Sequence, residues 1–189
     1  MAAPKSAEDI LVTELKEIYS AEKQLARMIP KVVKNISSER LRELLEERRD
    51  QGASLMEDIE AALDELDASK SRPKNVAAEG LIEDVNEHIE SIDDDRMLDA
   101  VLLASMQKIE HYCIAAWGTA AALGRLLENK NVTQSMERAL EEGKRLDEEL
   151  TALAAEEINP AMLEGEEAEE EEEEEEEEKP RAKGRRVKT

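Results

Sequence analysis

Apolar residues recur along this chain at alternating steps of three and four, and that spacing decides what it can fold into. The first run reads Leu11, Leu15, Ile18, Glu22, Leu25, Ile29, Val32 and Ile36. Residues so spaced share one face of an α-helix. A second seam reads Leu41, Leu45, Arg48, Gly52, Leu55, Ile59, Leu63 and Leu66. A third runs Leu98, Leu102, Ser105, Ile109, Cys113, Ala116, Ala120, Leu123 and Leu127. The fourth is Met136, Leu140, Gly143, then Leu146 or Asp147, Leu150 and Leu153. No useful stretch alternates apolar with polar residues, which argues against strands. Four amphipathic helices must bury their seams against one another.

Local signals place the boundaries. Ser6 and Asp9 have capping-box spacing, so the first helix runs from about Ser6 to Asn35, with Pro30 expected to kink it or loosen a turn. The second starts near Ser38 and reaches about Ala68. The two-to-three-residue link between them forces antiparallel packing. A loop, Ser69 to Asn75, leads to a short helix at about Ala77–Ser91. The third long helix spans roughly Asp95 to Leu127 and the fourth roughly Val132 to Glu156, with Asn131 and Gln134 as a second capping box and Pro160 as a stop. About 27 residues join the two hairpins, enough to cross the bundle and set the third helix parallel to the second. The expected fold is all-α: a ferritin-like four-helix bundle with a long crossover connection carrying a short fifth helix.

Composition narrows the class. With no Phe, one Trp and two Tyr, the core must be aliphatic. The single Cys excludes an internal disulfide. No run of about 18 apolar residues is present and no signal-peptide core, so the chain reads as non-membrane and cytoplasmic. Residues 164–178 carry 13 Glu, and residues 179–188 carry six basic side chains. This segment, 161–189, reads as a disordered tail behind a bundle of residues 1–160. The body, 1–163, holds 35 acidic against 20 basic residues and should repel duplex DNA and anionic membranes. Direct DNA binding would fall to the basic tail end, which has its own Glu run for company.

Polar residues interrupt the seams. A buried carboxylate costs several kcal/mol unless a cation, a proton or a metal accompanies it. Glu22 sits inside the first seam, and hairpin register sets it near Gln51 and about one turn from Arg48. Glu110 flanks the third seam and comes nearest Asp147. Two mid-bundle polar layers, one per hairpin, are the places where ferritin-like bundles build di-metal sites from Glu and Glu-x-x-His.

The stretches Leu15–Leu25 (LKEIYSAEKQL) and Gln107–Ala120 (QKIEHYCIAAWGTA) resemble the YciE/YciF ferritin-like family. The resemblance covers roughly residues 7–155. It implies a stress-associated four-helix bundle, often a homodimer, with Glu22 and Glu110 at the positions of bundle-facing glutamates. The chain departs from that pattern at Arg48, where the family has His, at Asp50 and Gln51, at Cys113, and at Gly143, while Asp147 is kept. The metal-ligand candidates are therefore Glu22, Glu110, Asp147 and Asp50, with Arg48 as a charge substitute. A guanidinium cannot shed its charge, so Arg48 both satisfies a carboxylate and repels a metal.

The leading expectation is a stress-associated bundle with a degenerate di-metal site and a structural or interaction role. It would hold no cofactor, or iron or manganese at low occupancy. The rivals are an active di-iron or di-manganese oxidase and a nucleic-acid-associated bundle using the basic tail. His111 points about 100° away from Glu110 and reads as a surface or packing residue. Cys113 reads as a small buried hydrophobe, and Trp117 as core or interface filling.

Overall fold

The computed structural model describes residues 4–69 and 74–163. Five helices follow in order: α1 (Ala7–Asn35), α2 (Glu39–Glu65), α3 (Val76–Ser91), α4 (Asp95–Leu126) and α5 (Lys130–Leu153). No strand occurs among the described residues. Each helix starts on a side chain that takes an otherwise orphaned backbone N–H. Ser6 accepts from Asp9, Ser38 from Leu41, Asn75 from Ala78, Asp94 from Arg96 and Met97, and Asn129 from Val132. α2 and α4 end alike. Asp67 (φ 47°) and Glu128 (φ 56°) adopt the left-handed conformation. Ala68 N–H then donates to Leu63 C=O and Asn129 N–H to Gly124 C=O, each at 2.9 Å, the reversal of a Schellman cap.

Four local expectations change. The fourth long helix starts two residues early, because Asn129 rather than Asn131 is its cap. The second ends at Glu65, short of Ala68. Past Leu153 the chain makes a π-helical turn, Ala154–Ile158, that buries Ile158. Residues 159–163 remain helical, so Pro160 is no stop. Pro30 lies inside a continuous α1. Of the expected tail, 161–189, residues 161–163 continue the helix, and those from 164 on lie outside the described residues.

Side-chain pairs fix the topology. Ser37, after α1, meets Asp99 near the start of α4, while Glu17 and Tyr112 meet at Asn75. Hence α1 and α4 are antiparallel. Arg40 pairs with Glu149, Glu47 with Arg145 and Asp58 with Arg138, so α2 and α5 are antiparallel too. Since α1 also opposes α2, α2 runs parallel to α4. This is the connectivity of two hairpins joined by one long crossover. α3 lies along α1 and α4, reaching them through Val85, through Asn86, which accepts from Lys31 (2.7 Å), and through Asp84 beside Lys108. The core is aliphatic and continuous, from Leu11 and Leu41 at one end of their helices to Leu150 and Ile158.

Candidate functional site

α1, α2 and α4 each send one charged side chain into the middle of this core. Glu22, Arg48 and Glu110 are 1%, 2% and 1% exposed. The Arg48 guanidinium grips Glu22 in fork-to-fork fashion, Nη1 donating to Oε2 (3.0 Å) and Nη2 to Oε1 (2.9 Å). Its Nε donates to Glu110 Oε2 at 2.7 Å. The third polar wall is aromatic: the Trp117 ring centroid lies 5.1 Å from Arg48 Cζ, a cation–π distance.

Two glycines make the room. A Cβ on Gly52 of α2 would lie 2.5 Å from Glu22 Oε2 and 3.0 Å from Arg48 Nη1. A Cβ on Gly143 of α5 would lie 2.6 Å from Glu110 Oε1 and 2.4 Å from Trp117 Cζ3. Each carboxylate thus rests over a glycine on the other helix of its own hairpin. Gly143, where the sequence departs from the family pattern, is a cradle, and Gly52 is its counterpart in the first hairpin.

Electrostatics follow from burial. Burial opposes the charged guanidinium, but Glu22 and Glu110 outweigh it and hold the Arg48 pKa well above its ordinary range. Burial raises the Glu110 pKa above 4.5; Arg48 pulls against this, and Glu22 and Asp147 add to it. Glu110 Oε1 and the Trp117 indole N–H, both buried, have no hydrogen-bond partner among the described residues. The buried Cys113 thiol is held well above the usual range by burial, then by the charge of Glu22.

The other candidates stand apart. Asp147 is half-buried at the α4–α5 surface, 3.2 Å from His111 Nε2, and it accepts from Gln107 (3.4 Å). His111 is largely exposed. Asp50 is exposed and pairs with neighbouring Arg49 at 2.9 Å, so it does not join Glu22. Gln51 faces outward and donates to Glu47 (3.1 Å). The two polar layers expected from hairpin register are one cluster, bridged by Arg48. The Arg48–Glu110 bond and the stacking of Trp117 escaped sequence reasoning, since neither follows from register within a hairpin.

The donor set does not suit a metal pair. Three of the four carboxylate oxygens accept from a permanently charged guanidinium at 2.7–3.0 Å. Among the described residues, no three His, Cys, Asp or Glu side chains converge to hold an ion. No helix of the described residues is long and apolar enough to cross a membrane.

Known proteins share this frame. Residues 6–163 match the family described as domain of unknown function DUF892. Protein YciF of Escherichia coli (strain K12) is 38% identical over 156 residues, covering 82% of this chain and 94% of that one. The crystal structure of the E. coli stress protein YciF superposes with a TM-score of 0.78 over 82% of this chain and 99% of that one. YcfI of Rhodopseudomonas palustris, described with a provisional structural role, is 28% identical at a TM-score of 0.73 over 78% of this chain and 94% of that one. A Xanthomonas campestris protein at 20% identity shares the fold, with a TM-score of 0.68 over 85% of this chain and 98% of that one. The family match spans residues 6–163, and the identity to YciF covers a similar share of the chain: the chain belongs to the DUF892 family and is a relative of YciF.

Proposed function

We propose that this protein is a stress-associated bundle with a structural role, in which Arg48 occupies the place of a metal centre. One observation carries the reading: a single guanidinium binds both buried carboxylates directly. The positive charge a metal would supply is covalently attached to α2. Such a site is degenerate as a di-metal centre, and its contribution is to hold the two hairpins in one register. The description of YciF as a stress protein, and the provisional structural description of YcfI, support the setting.

Metal analysis tests the first part. Protein from cells grown with added iron and manganese, purified without chelator, should hold far less than the pair of ions a di-metal centre takes. A full pair per chain, lost on Glu110→Ala, would overturn the reading in favour of an oxidase. Complementation tests the second part. In a deletion strain under stress, a variant carrying Glu22→Leu, Arg48→Met and Glu110→Leu should restore survival as the wild type does, since a structural role needs the packing and not the charges. Failure of that variant, folded and expressed at normal level, would show that the carboxylates do chemistry.

A further inference from the structure

α3 carries five acids, Glu79, Glu83, Asp84, Glu87 and Glu90, and no Lys or Arg. Two of them have close partners: Asp84 lies beside Lys108 (3.8 Å), and Glu79 pairs with Lys74. The outer side of the helix is different. Val76, Gly80, Glu83, Glu87 and Glu90 are all exposed, at spacings of four, three, four and three, one stripe along the helix. Glu83 and Glu87 have no ion pair among the described residues. Glu90 reaches only Lys31, at 4.0 Å between two exposed side chains. A Cβ on Gly80 would meet nothing within 4 Å, and Val76 at the head of the stripe is 75% exposed. Exposed Asp93 and Asp95 carry the acidity past the end of α3.

The chain holds a segment of opposite charge. Residues 179–188 contain Lys179, Arg181, Lys183, Arg185, Arg186 and Lys188 and no acid. They lie beyond the family match, which ends at residue 163. The described chain ends where α3 can be reached. Glu157 and Ala161 share a groove with Arg96 and Asp99 of the first turns of α4, just past Asp95. The sixteen residues from Leu163 to Lys179 span at most roughly 55 Å, while α3 is about 24 Å long. Four of the cations alternate, at 179, 181, 183 and 185. Alternate residues of an extended chain are about 6.6 Å apart. Glu83, Glu87 and Glu90 follow one another at about 4.5–6 Å along the helix axis, a similar spacing. We infer that residues 179–188 dock along the outer stripe of α3 in the same chain. They run from Asp93 towards Val76, with their cations on Glu83, Glu87 and Glu90 and with Val187 against Val76.

Two rivals compete for the same cations. The first is the Glu run, 169–178, next to them in sequence. Folding back on that run would fix two segments of chain. Docking on α3 fixes one, against acids already held in a row, at a lower cost in conformational entropy. It also relieves the repulsion between Glu83 and Glu87, like charges four apart on one helix face. The second rival is the rest of the acidic body. There the exposed acids of α2 and α5 are interleaved with Arg40, Arg138 and Arg145, which already answer Glu149, Asp58 and Glu47. The contact on α3 is exposed and ionic, so it is weak, reversible and sensitive to salt.

The test uses the full-length chain, isotope-labelled for NMR, with a nitroxide on Ala182→Cys. Cys113 is buried, and burial holds its thiol well above the usual range, so the label goes to residue 182. At ~0.1 M salt, where the Debye length is about 10 Å, amides of residues 83–93 should lose more signal than any others in the bundle. At ~1 M salt, where that length is about 3 Å, the loss should disappear. Glu83→Gln together with Glu87→Gln should remove most of it, with helicity unchanged. A mixture with the isotope on one copy and the nitroxide on another should show no loss at α3. Loss at α3 in that mixture would place a second copy's segment there and overturn the proposal. Loss spread evenly over the bundle, loss confined to residues 164–189, or loss that survives the double substitution would each overturn it as well.

Discussion

Arg48 brings one positive charge to two buried carboxylates, so the cluster retains a net negative charge when both are ionised. Removing the cation alone is the costly change. Arg48→Met should destabilise the protein by about 3–5 kcal/mol at neutral pH, because two carboxylates remain buried without a partner. Replacing all three with Leu, Met and Leu should be neutral or stabilising by about 1–4 kcal/mol. Urea unfolding of both variants checks the pair, and a triple variant less stable than Arg48→Met would contradict the account. Glu110 adds a pH dependence. Its pKa is raised in the folded state, so the folded protein binds this proton more tightly than the unfolded chain. Its contribution to stability is greatest below the usual carboxylate range and is lost as pH rises through the raised value. The difference in stability between wild type and Glu110→Gln should therefore fall as pH rises from about 4 upward; a flat difference would show that folding leaves the Glu110 pKa unshifted, and a rising one that Arg48 holds it ionised. The Glu22–Arg48 contact was legible from hairpin register alone. Arg48–Glu110 was not, because it crosses between hairpins whose mutual rotation no local pattern records. Asp50 was misplaced for a simpler reason: it is two residues past Arg48, about 200° around the helix and so on the outside.

Glycines on these helices have opposite meanings according to what a Cβ would meet. Gly80 and Gly118 have nothing within 4 Å of that position. Replacing either with Ala should stabilise its helix by roughly 0.5–1 kcal/mol through propensity. Gly52 and Gly143 carry the same propensity cost, yet each sits under a carboxylate at 2.5–2.6 Å. There overpacking of about 1–3 kcal/mol outweighs the helical gain, so Gly52→Ala and Gly143→Ala should destabilise. Gly143→Ala should also shift the emission of Trp117, the only Trp in the chain. Thermal melts of the four variants must split into two pairs of opposite sign; four stabilised proteins would mean that the cradles are loose. Helix existence and type were readable up to Leu153, because seams of period 3.6 leave no competing structure; the π-helical turn at Ala154–Ile158 and the helix beyond it were not. Ends were less readable. Asn129 and Asn131 both look like caps, and only the reversal at Glu128 selects the first.

At the scale of the molecule, the buried cluster and the α2–α5 ion pairs join the hairpins, and so do the crossover and a polar lock at the α1–α2 turn. Asp99 of α4 reaches the α1–α2 turn and accepts from Ser37 N–H (2.9 Å), Ser37 Oγ (2.6 Å) and Ser38 N–H (2.8 Å). Asn75 does the same for the crossover. Its N–H donates to Ser20 Oγ (2.9 Å), its amide nitrogen to Glu17 C=O (3.1 Å) and Tyr112 Oη (2.5 Å), and its carbonyl accepts from Gln24 (3.0 Å). Neither residue stood out in the sequence: Asn75 reads only as the end of a loop, and Asp99 as one more acid in the first turns of α4. α3 depends on this anchor more than the other helices do. Its only fully buried residues are Ala78 and Val85, while α1, α2, α4 and α5 each bury a full seam. Elements with little buried apolar area open without global unfolding. Amides of α3 should therefore exchange with solvent well before those of α1 and α4. Asn75→Ala removes the N-cap of α3, worth about 1 kcal/mol, and takes the partner of the Tyr112 hydroxyl, while the backbone N–H of residue 75 keeps its bond to Ser20. Hydrogen exchange in that variant should quicken across Val76–Ser91 by at least about fivefold, the factor that 1 kcal/mol implies. α1 and α4 should keep nearly their wild-type protection, because the cluster and the Asp99 lock are untouched. Uniform acceleration over all five helices would show instead that the crossover and the bundle open as one unit.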